Sequence, residues 1–317
     1  MDKAFVLGAG LGTRLKTLTE SIPKPLLPVL QKSLLSYAFD HLLSAGIGSI
    51  IVNTHHRPEA YAERFPENSY RGAPLTFRFE PELLETAGGI ANIADLVADE
   101  SFVVYNGDIL TDLPLRPALA QHRRRGHLVS LILRSSGPTL QIAWDATSGK
   151  VVDIHNRLHS GAEHAYQFTG IYFVEPGFLA SLTPGKKESV IPVFLDLIAR
   201  EGAIGGVVAD EGLWWDLGDR DSYLDAVGTI ASGTEPPFPA HGARPEQQRI
   251  HPGAVIDPRA WICPRSSIAQ GAVVEADARI EESVLWAGAR VAAGSRLRRC
   301  IVRRDALASG DLCDADI

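Results

Sequence analysis

Only three cysteines occur in the 317 residues, Cys263, Cys300 and Cys313, odd in number and without a Cys-x-x-Cys pair. That spacing excludes a disulfide framework and a redox or zinc motif of the paired kind, and it fits a reducing compartment. No apolar run approaches the ~20 residues that a membrane-spanning helix needs. The amino terminus enters a strand-like pattern without a leader sequence. The expected location is therefore cytoplasmic, with no membrane partner. An excess of cations is also missing: 31 Lys and Arg stand against 38 Asp and Glu, a formal net charge of −7. Such a balance argues against a nucleic-acid partner gripped through its backbone. The one basic run, His122-Arg-Arg-Arg-Gly126, is expected to close a helix end.

What is present begins at residue 4. Ala4-Phe-Val-Leu7 reads as a buried parallel strand, and it runs into Gly8-Ala-Gly-Leu-Gly-Thr-Arg14. Glycines at alternate positions let the backbone approach an anion closely and turn its N–H groups inward. Thr13 adds a hydroxyl, and Arg14 a guanidinium suited to phosphate. Lys24 supplies a second cation between Pro23 and Pro25. A glycine-rich turn alone also fits an ordinary strand-to-helix connection. The loop lacks the terminal Gly-Lys-Ser/Thr of a Walker A motif. It also lacks the acidic residue that a dinucleotide fold carries on its next strand, because Ser49–His55 ends in amide, hydroxyl and imidazole.

Apolar strand-like runs alternate with helical patterns through the first two-thirds of the chain. Leu34–Ala45 has helical spacing, with Ser33 as N-cap and Gly46 as stop. Strands are expected at 49–55, 75–80 and 102–105, and helices near 59–65 and 88–97. This order implies an α/β, Rossmann-like, mostly parallel sheet covered by helices. In such sheets ligands bind beyond the carboxyl ends of the strands. The expected domains are 1–231, a Pro- and Gly-rich linker over 232–249, and a smaller domain over 250–317.

That smaller domain carries an internal repeat. Ile250, Ile256, Ile262, Ile268, Val274 and Ile280 recur every six residues, with a small residue usually four places on. After a one-residue slip, Leu285, Val291 and Leu297 resume the beat. A six-residue period with an aliphatic corner marks a β-helix, here of about three coils. It resembles the left-handed hexapeptide-repeat helix. The repeats hold no well-placed histidine beyond His251, which argues against an acyltransferase. They are expected to serve a homo-oligomer or to pack against the catalytic domain rather than take part in chemistry, with Trp261 and Trp286 as aromatic anchors of an interface.

Gly-x-Gly-Thr-Arg-Leu, then Thr19, then Pro23-Lys-Pro-Leu-Leu-Pro-Val29 resembles the signature of the sugar-1-phosphate nucleotidyltransferases. Glu85-Thr-Ala-Gly-Gly-Ile90, Asn106-Gly-Asp108, Phe168-Thr-Gly-Ile171 and Trp214-Trp-Asp-Leu-Gly218 follow in the family's order. The resemblance covers residues 1–230. It implies a nucleoside triphosphate and a sugar 1-phosphate as substrates, joined with release of diphosphate by in-line attack on the α-phosphorus. It implies Mg²⁺ held by Asp108 and Asp216, with Arg14, Lys24 and Asp108 as catalytic residues. Leu7, Gly8, Ala9, Gly10, Gly12, Thr13, Arg14 and Lys24 would surround the nucleotide, with Glu80, Thr86, Ala87 and Gly88 at the base. Asn106, Thr169 and Gly170 would meet the sugar phosphate.

Two departures stand out. Relatives often carry Glu-Lys-Pro before the Thr-Gly segment, whereas here Val152–Arg157 lacks that lysine, leaving Arg157 as the candidate cation. Asp219 stands where relatives often have Thr. The carboxylates of Glu80 and Glu85 suit guanine, whose N1–H and N2–H can both donate to one carboxylate. The missing Glu-Lys-Pro instead resembles N-acetylmuramate-1-phosphate uridylyltransferases, and the β-helix resembles mannose-1-phosphate guanylyltransferases. Base and sugar stay open between these two. A non-catalytic sugar-nucleotide-binding regulatory homologue is the alternative, and it would be expected to lose one of Arg14, Lys24, Asp108 or Asp216.

Overall fold

A computed structural model describes residues 1–233 and 248–317, so most of the expected linker lies outside the described residues. The chain forms two compact units. One holds Met1–Leu11 with Ala38–Trp214, the other Gly12–Tyr37 with Trp215–Ile317.

The first unit is built on a ten-stranded sheet. In chain order its strands are β1 (Lys3–Leu7), β2 (Ser49–Thr54), β3 (Ser69–Tyr70), β4 (Ala73–Phe79), β5 (Phe102–Asn106), β6 (Val129–Arg134), β7 (Ile142–Asp145), β8 (Lys150–Ile154), β9 (Gln167–Val174) and β10 (Ile204–Val208). The spatial order is β7-β8-β10-β6-β9-β5-β1-β2-β4-β3. Four neighbours, β5, β1, β2 and β4, run parallel. Ala4, Phe5, Val6, Val103 and Val104 are fully buried, as continuous apolar strands covered on both faces should be. Beyond β5 the sheet becomes mixed, because β9 enters antiparallel between β5 and β6.

The local signals act as expected at several ends. The Ser33 hydroxyl accepts the Ser36 N–H at 3.3 Å and starts the helix Leu34–Ser44. The basic run ends the helix Leu115–Arg125, closed by Gly126 in the left-handed region. His122 itself is buried rather than exposed, with Nδ1 at Ser130 and Nε2 at Glu175.

In the second unit the repeats form a β-helix of three parallel ladders. Val255 pairs with Val273, eighteen residues on, and Val273 with Arg290, seventeen on. The slip seen in the sequence falls between Ile280 and Leu285, where Glu282 turns through φ 43°. Ile268, Val274, Ile280, Leu285, Val291 and Leu297 stack inside, all 0–1% exposed.

The helix α3 (Arg220–Ser232) lies against this β-helix. Arg299 pairs with Asp221 at 2.7 Å and Asp225 at 3.4 Å, and Arg220 with Asp316 at 2.7 Å. Trp286 is 5% exposed, its indole N–H donating to the Tyr223 hydroxyl of α3 at 3.1 Å. It therefore anchors the β-helix to its own chain, not to a second subunit, because an aromatic N–H inside a packed interface needs its partner there. Trp261 stays half exposed.

Candidate functional site

Within the first unit, the site residues gather at the carboxyl ends of β1 and β5. Leu7 and Asn106 are register partners, and the Gly107 N–H donates to the Leu7 carbonyl at 3.0 Å. Asp108 follows in the turn after β5, half-buried. The glycine loop and the Asn-Gly-Asp turn thus leave the sheet side by side.

Gly8 has a role the sequence did not disclose. Its N–H donates to Asn53 Oδ1 at 2.8 Å, and its carbonyl accepts from the Tyr61 hydroxyl at 2.7 Å. A Cβ there would lie 2.6 Å from the Asn53 carbonyl oxygen. Gly8 is thus a packing residue whose N–H is already engaged. Gly10 meets nothing within 4 Å of such an added carbon, and its surroundings are open.

Asn53 continues the chain of contacts. Its Nδ2 donates to Glu80 Oε1 at 2.7 Å, while Glu80 Oε2 accepts the Leu84 N–H at 3.0 Å. Glu80 is 0% exposed. Expected at the base, it instead stands inside the wall of that segment, both carboxylate oxygens spent on protein donors. A buried carboxylate must be satisfied in this way. Thr86 behaves similarly. It lies on α1 (Glu85–Asn92), and its hydroxyl oxygen accepts the Val190 N–H at 2.7 Å, at the start of α2 (Val190–Glu201). Ala87 and Gly88 are buried, both their N–H groups reaching the Glu188 carbonyl.

Asn106 and Gly170 come together. Gly170, at φ +83°, has no room for a Cβ, which would lie 2.7 Å from Asn106 Nδ2. The register shift between Phe168 and Tyr172 is a bulge at this point, of the kind that re-aims a strand beside a site. Thr169 is fully buried. Its hydroxyl donates to the Ile132 carbonyl, and its own carbonyl accepts the Trp214 indole N–H. Its side chain therefore holds the bulge instead of lining a pocket. Arg157 lies exposed in the loop after β8. Among the described residues, no hydrogen bond or ion pair of its side chain joins it to the other candidates.

The second unit holds the cations. Gly12 turns at φ 62° into the 3-10 segment Thr13–Thr19. A Cβ on Gly12 would meet Thr19 Cγ2 at 2.9 Å and Lys24 Cβ at 3.2 Å, and the Thr19 hydroxyl donates to the Gly12 carbonyl at 3.1 Å. The spacing of glycine, threonine and Pro-Lys-Pro is thus a packing relation. Lys24 opens a second 3-10 turn, Lys24–Leu26, after Pro23. Its ammonium lies 3.7 Å from Asp216 Oδ1, and Arg14 Nη2 lies 4.0 Å from Asp216 Oδ2. The Lys24 side chain is 7% exposed and that of Arg14 is 65% exposed.

Two residues after Asp216, Gly218 makes room for Arg14. A Cβ there would lie 2.6 Å from Arg14 Nη2. Asp219, the departure noted above, is the N-cap of α3. Its carboxylate accepts the Ser222 N–H at 2.9 Å, and the Ser222 hydroxyl accepts the Asp219 N–H at 3.2 Å, a reciprocal cap. Burial costs little there, and the bonds from Ser222 hold its carboxyl below the usual range.

Among the described residues, no cluster of three or more His, Cys, Asp or Glu could enclose a metal ion. Asp108, in the first unit, and Asp216, in the second, each carry hard oxygen donors of the kind that magnesium takes beside water and phosphate oxygens.

The chain is 29% identical over 305 residues to the mannose-1-phosphate guanylyltransferase of Mycobacterium tuberculosis, covering 95% of this chain and 83% of that protein. It is 26% identical over 333 residues to the UTP–glucose-1-phosphate uridylyltransferase of Synechocystis, covering 91% and 85%. The fold matches the crystal structure of HddC from Yersinia pseudotuberculosis with a TM-score of 0.60 at 21% identity, over 72% of this chain and 99% of that one. The family model described as nucleotidyl transferase matches residues 3–233, and the chain belongs to that family of transferases.

Proposed function

We propose that the protein joins GTP and mannose 1-phosphate to give GDP-mannose and diphosphate. The observation that carries the catalytic reading is Asp216 facing both signature cations, Arg14 and Lys24. Arg14, Lys24, Asp108 and Asp216, of which a non-catalytic homologue would be expected to lose at least one, are all present. In this reading Arg14 and Lys24 bind the triphosphate oxygens and oppose the charge that grows on them during transfer. Arg14 presents a fork suited to two oxygens, and Lys24 a point charge. Gly10, Gly12 and Thr13 bring backbone and hydroxyl donors to the phosphates. Asn106 and Gly170 orient the sugar phosphate for in-line attack on the α-phosphorus, and Arg157 is its proposed counter-cation. Asp108 and Asp216 would hold Mg²⁺, whose chemistry when bound is neutralisation of phosphoryl charge.

The choice of guanine and mannose is supported by the Mycobacterium tuberculosis relative, whose likeness runs over most of both chains. Purified protein offered GTP or UTP against mannose 1-phosphate, glucose 1-phosphate and N-acetylmuramate 1-phosphate tests it. GDP-mannose is the expected product. Preference for UTP with N-acetylmuramate 1-phosphate would overturn the substrate assignment and keep the reaction class.

A further inference from the structure

The signature segment 12–37 shares its compact unit with the β-helix, and the contacts between the two are polar and specific. Arg303, late in the β-helix, donates from Nη1 to the Thr17 carbonyl at 3.3 Å and pairs with Glu20 at 3.8 Å. These contacts close the far end of the 3-10 segment Thr13–Thr19 that carries Arg14. Arg303 is itself aimed, because its Nε and its backbone N–H both donate to the Ile317 carbonyl, at 3.1 and 2.9 Å.

A second set of contacts lies on the other side of Lys24. The Tyr223 hydroxyl donates to the Pro28 carbonyl at 2.6 Å while accepting the Trp286 indole N–H. Gln31 Nε2 donates to the Ile268 carbonyl at 3.0 Å. The anchors at 17, 20, 28 and 31 therefore bracket Lys24 and follow Arg14 directly. A cation-bearing loop left to itself must be ordered each time an anion binds, which weakens binding. Fixed anchors on both sides remove that cost.

We propose that the β-helix positions Arg14 and Lys24 for phosphate, with Arg303 and the Trp286–Tyr223 pair as positioning residues. The proposal rests on the reading of Arg14 as a phosphate ligand.

Binding of inorganic pyrophosphate with Mg²⁺ to the full chain, measured by calorimetry, tests it without needing the base or sugar. Arg303→Ala and Tyr223→Phe are each expected to weaken binding about five- to tenfold, the effect of one lost anchor. Arg14→Ala should weaken it more, and Arg14→Ala/Arg303→Ala should bind no more weakly than Arg14→Ala alone. A residue that only supports the fold would instead give additive losses, and additivity overturns the proposal. Wild-type affinity in Arg303→Ala and Tyr223→Phe beside a weakened Arg14→Ala overturns it too, leaving the role of Arg14 intact. Wild-type affinity in Arg14→Ala removes the reading of Arg14 and this proposal with it. Should Arg303→Ala fail to fold, Tyr223→Phe, which deletes one oxygen atom, carries the same test against Lys24→Ala.

Discussion

Asn53 and Glu80 meet through a 2.7 Å hydrogen bond, and this buried contact ties the glycine loop to the Glu80–Gly88 segment. Gly8 hangs from the other side of Asn53 and Leu84 from the other oxygen of Glu80. Two stretches far apart in sequence are thereby held in one arrangement. Glu80→Gln turns one acceptor into a donor facing a donor. The expected cost is about 1–3 kcal/mol of stability, as for a buried polar group left unpaired, read from urea denaturation. Folded Glu80→Gln protein should keep turnover at saturating substrates within about fivefold, the size of a modest displacement. Abolished turnover with wild-type stability would return Glu80 to direct contact with the nucleotide.

Asp108→Asn and Asp216→Asn are expected to abolish turnover in protein that still folds, with some loss of thermal stability in Asp216→Asn because the buried Lys24 ammonium loses a counter-charge. An amide is a poorer ligand for a hard dication and carries no charge. Near-wild-type rates at saturating Mg²⁺ in either variant would remove that aspartate from the metal site.

Arg14→Ala is expected to raise the barrier by about 2–4 kcal/mol, as for a lost electrostatic stabiliser. Arg14→Lys should recover only part of the loss, since a point charge does not reproduce the guanidinium fork. Gly218→Ala probes the same guanidinium from below. Its methyl would push against Arg14 Nη2, which is the free end of a flexible side chain. Stability should therefore change by no more than about 0.5 kcal/mol, as for a tolerated surface change, while turnover falls at least about tenfold. Equal turnover in Gly218→Ala would show that the position of Arg14 does not matter.

Acid should destabilise the protein through His41. Its Nε2–H donates to the Leu113 carbonyl, and its Nδ1 accepts from the Tyr105 hydroxyl. Burial lowers this imidazole to about 4, below its ordinary 6.5. Between those values the unfolded chain takes up a proton and the folded chain does not, so stability falls as pH drops through that window. The expected contribution is on the order of 1–3 kcal/mol between pH 7 and pH 4.5. His122, also lowered by burial, acts in the same direction and would remain. His41→Phe should flatten part of the slope seen in denaturation at pH 7, 6 and 5. An unchanged slope would clear His41 of the effect.

The parallel run of the sheet was legible because β1, β2 and β5 are continuous apolar strings, and the β-helix because its corner residues repeat every six. Arg14 and Lys24 were legible as candidate cations because they sit at fixed positions in a proline- and glycine-marked segment. The supporting residues were not. Asn53 gave one signal, a polar residue closing an apolar strand, but its partners Gly8 and Glu80 lie 45 and 27 residues away. Glu80 and Thr86 were placed at the base by the resemblance, which locates a segment and does not show whether its polar groups are already paired. Asp219 looked like an unexplained departure until its cap to Ser222 was seen. The attachment of Trp286 depends on Tyr223, 63 residues earlier in the sequence, and no periodicity reports such a contact.

The most direct measurement of the central claim is diphosphate release by the purified chain with Mg²⁺, with and without a sugar 1-phosphate. Release is predicted only when GTP and mannose 1-phosphate are both present, with one GDP-mannose formed for each diphosphate. Release from the nucleotide alone, or none with any pairing of nucleoside triphosphate and sugar 1-phosphate, would contradict it.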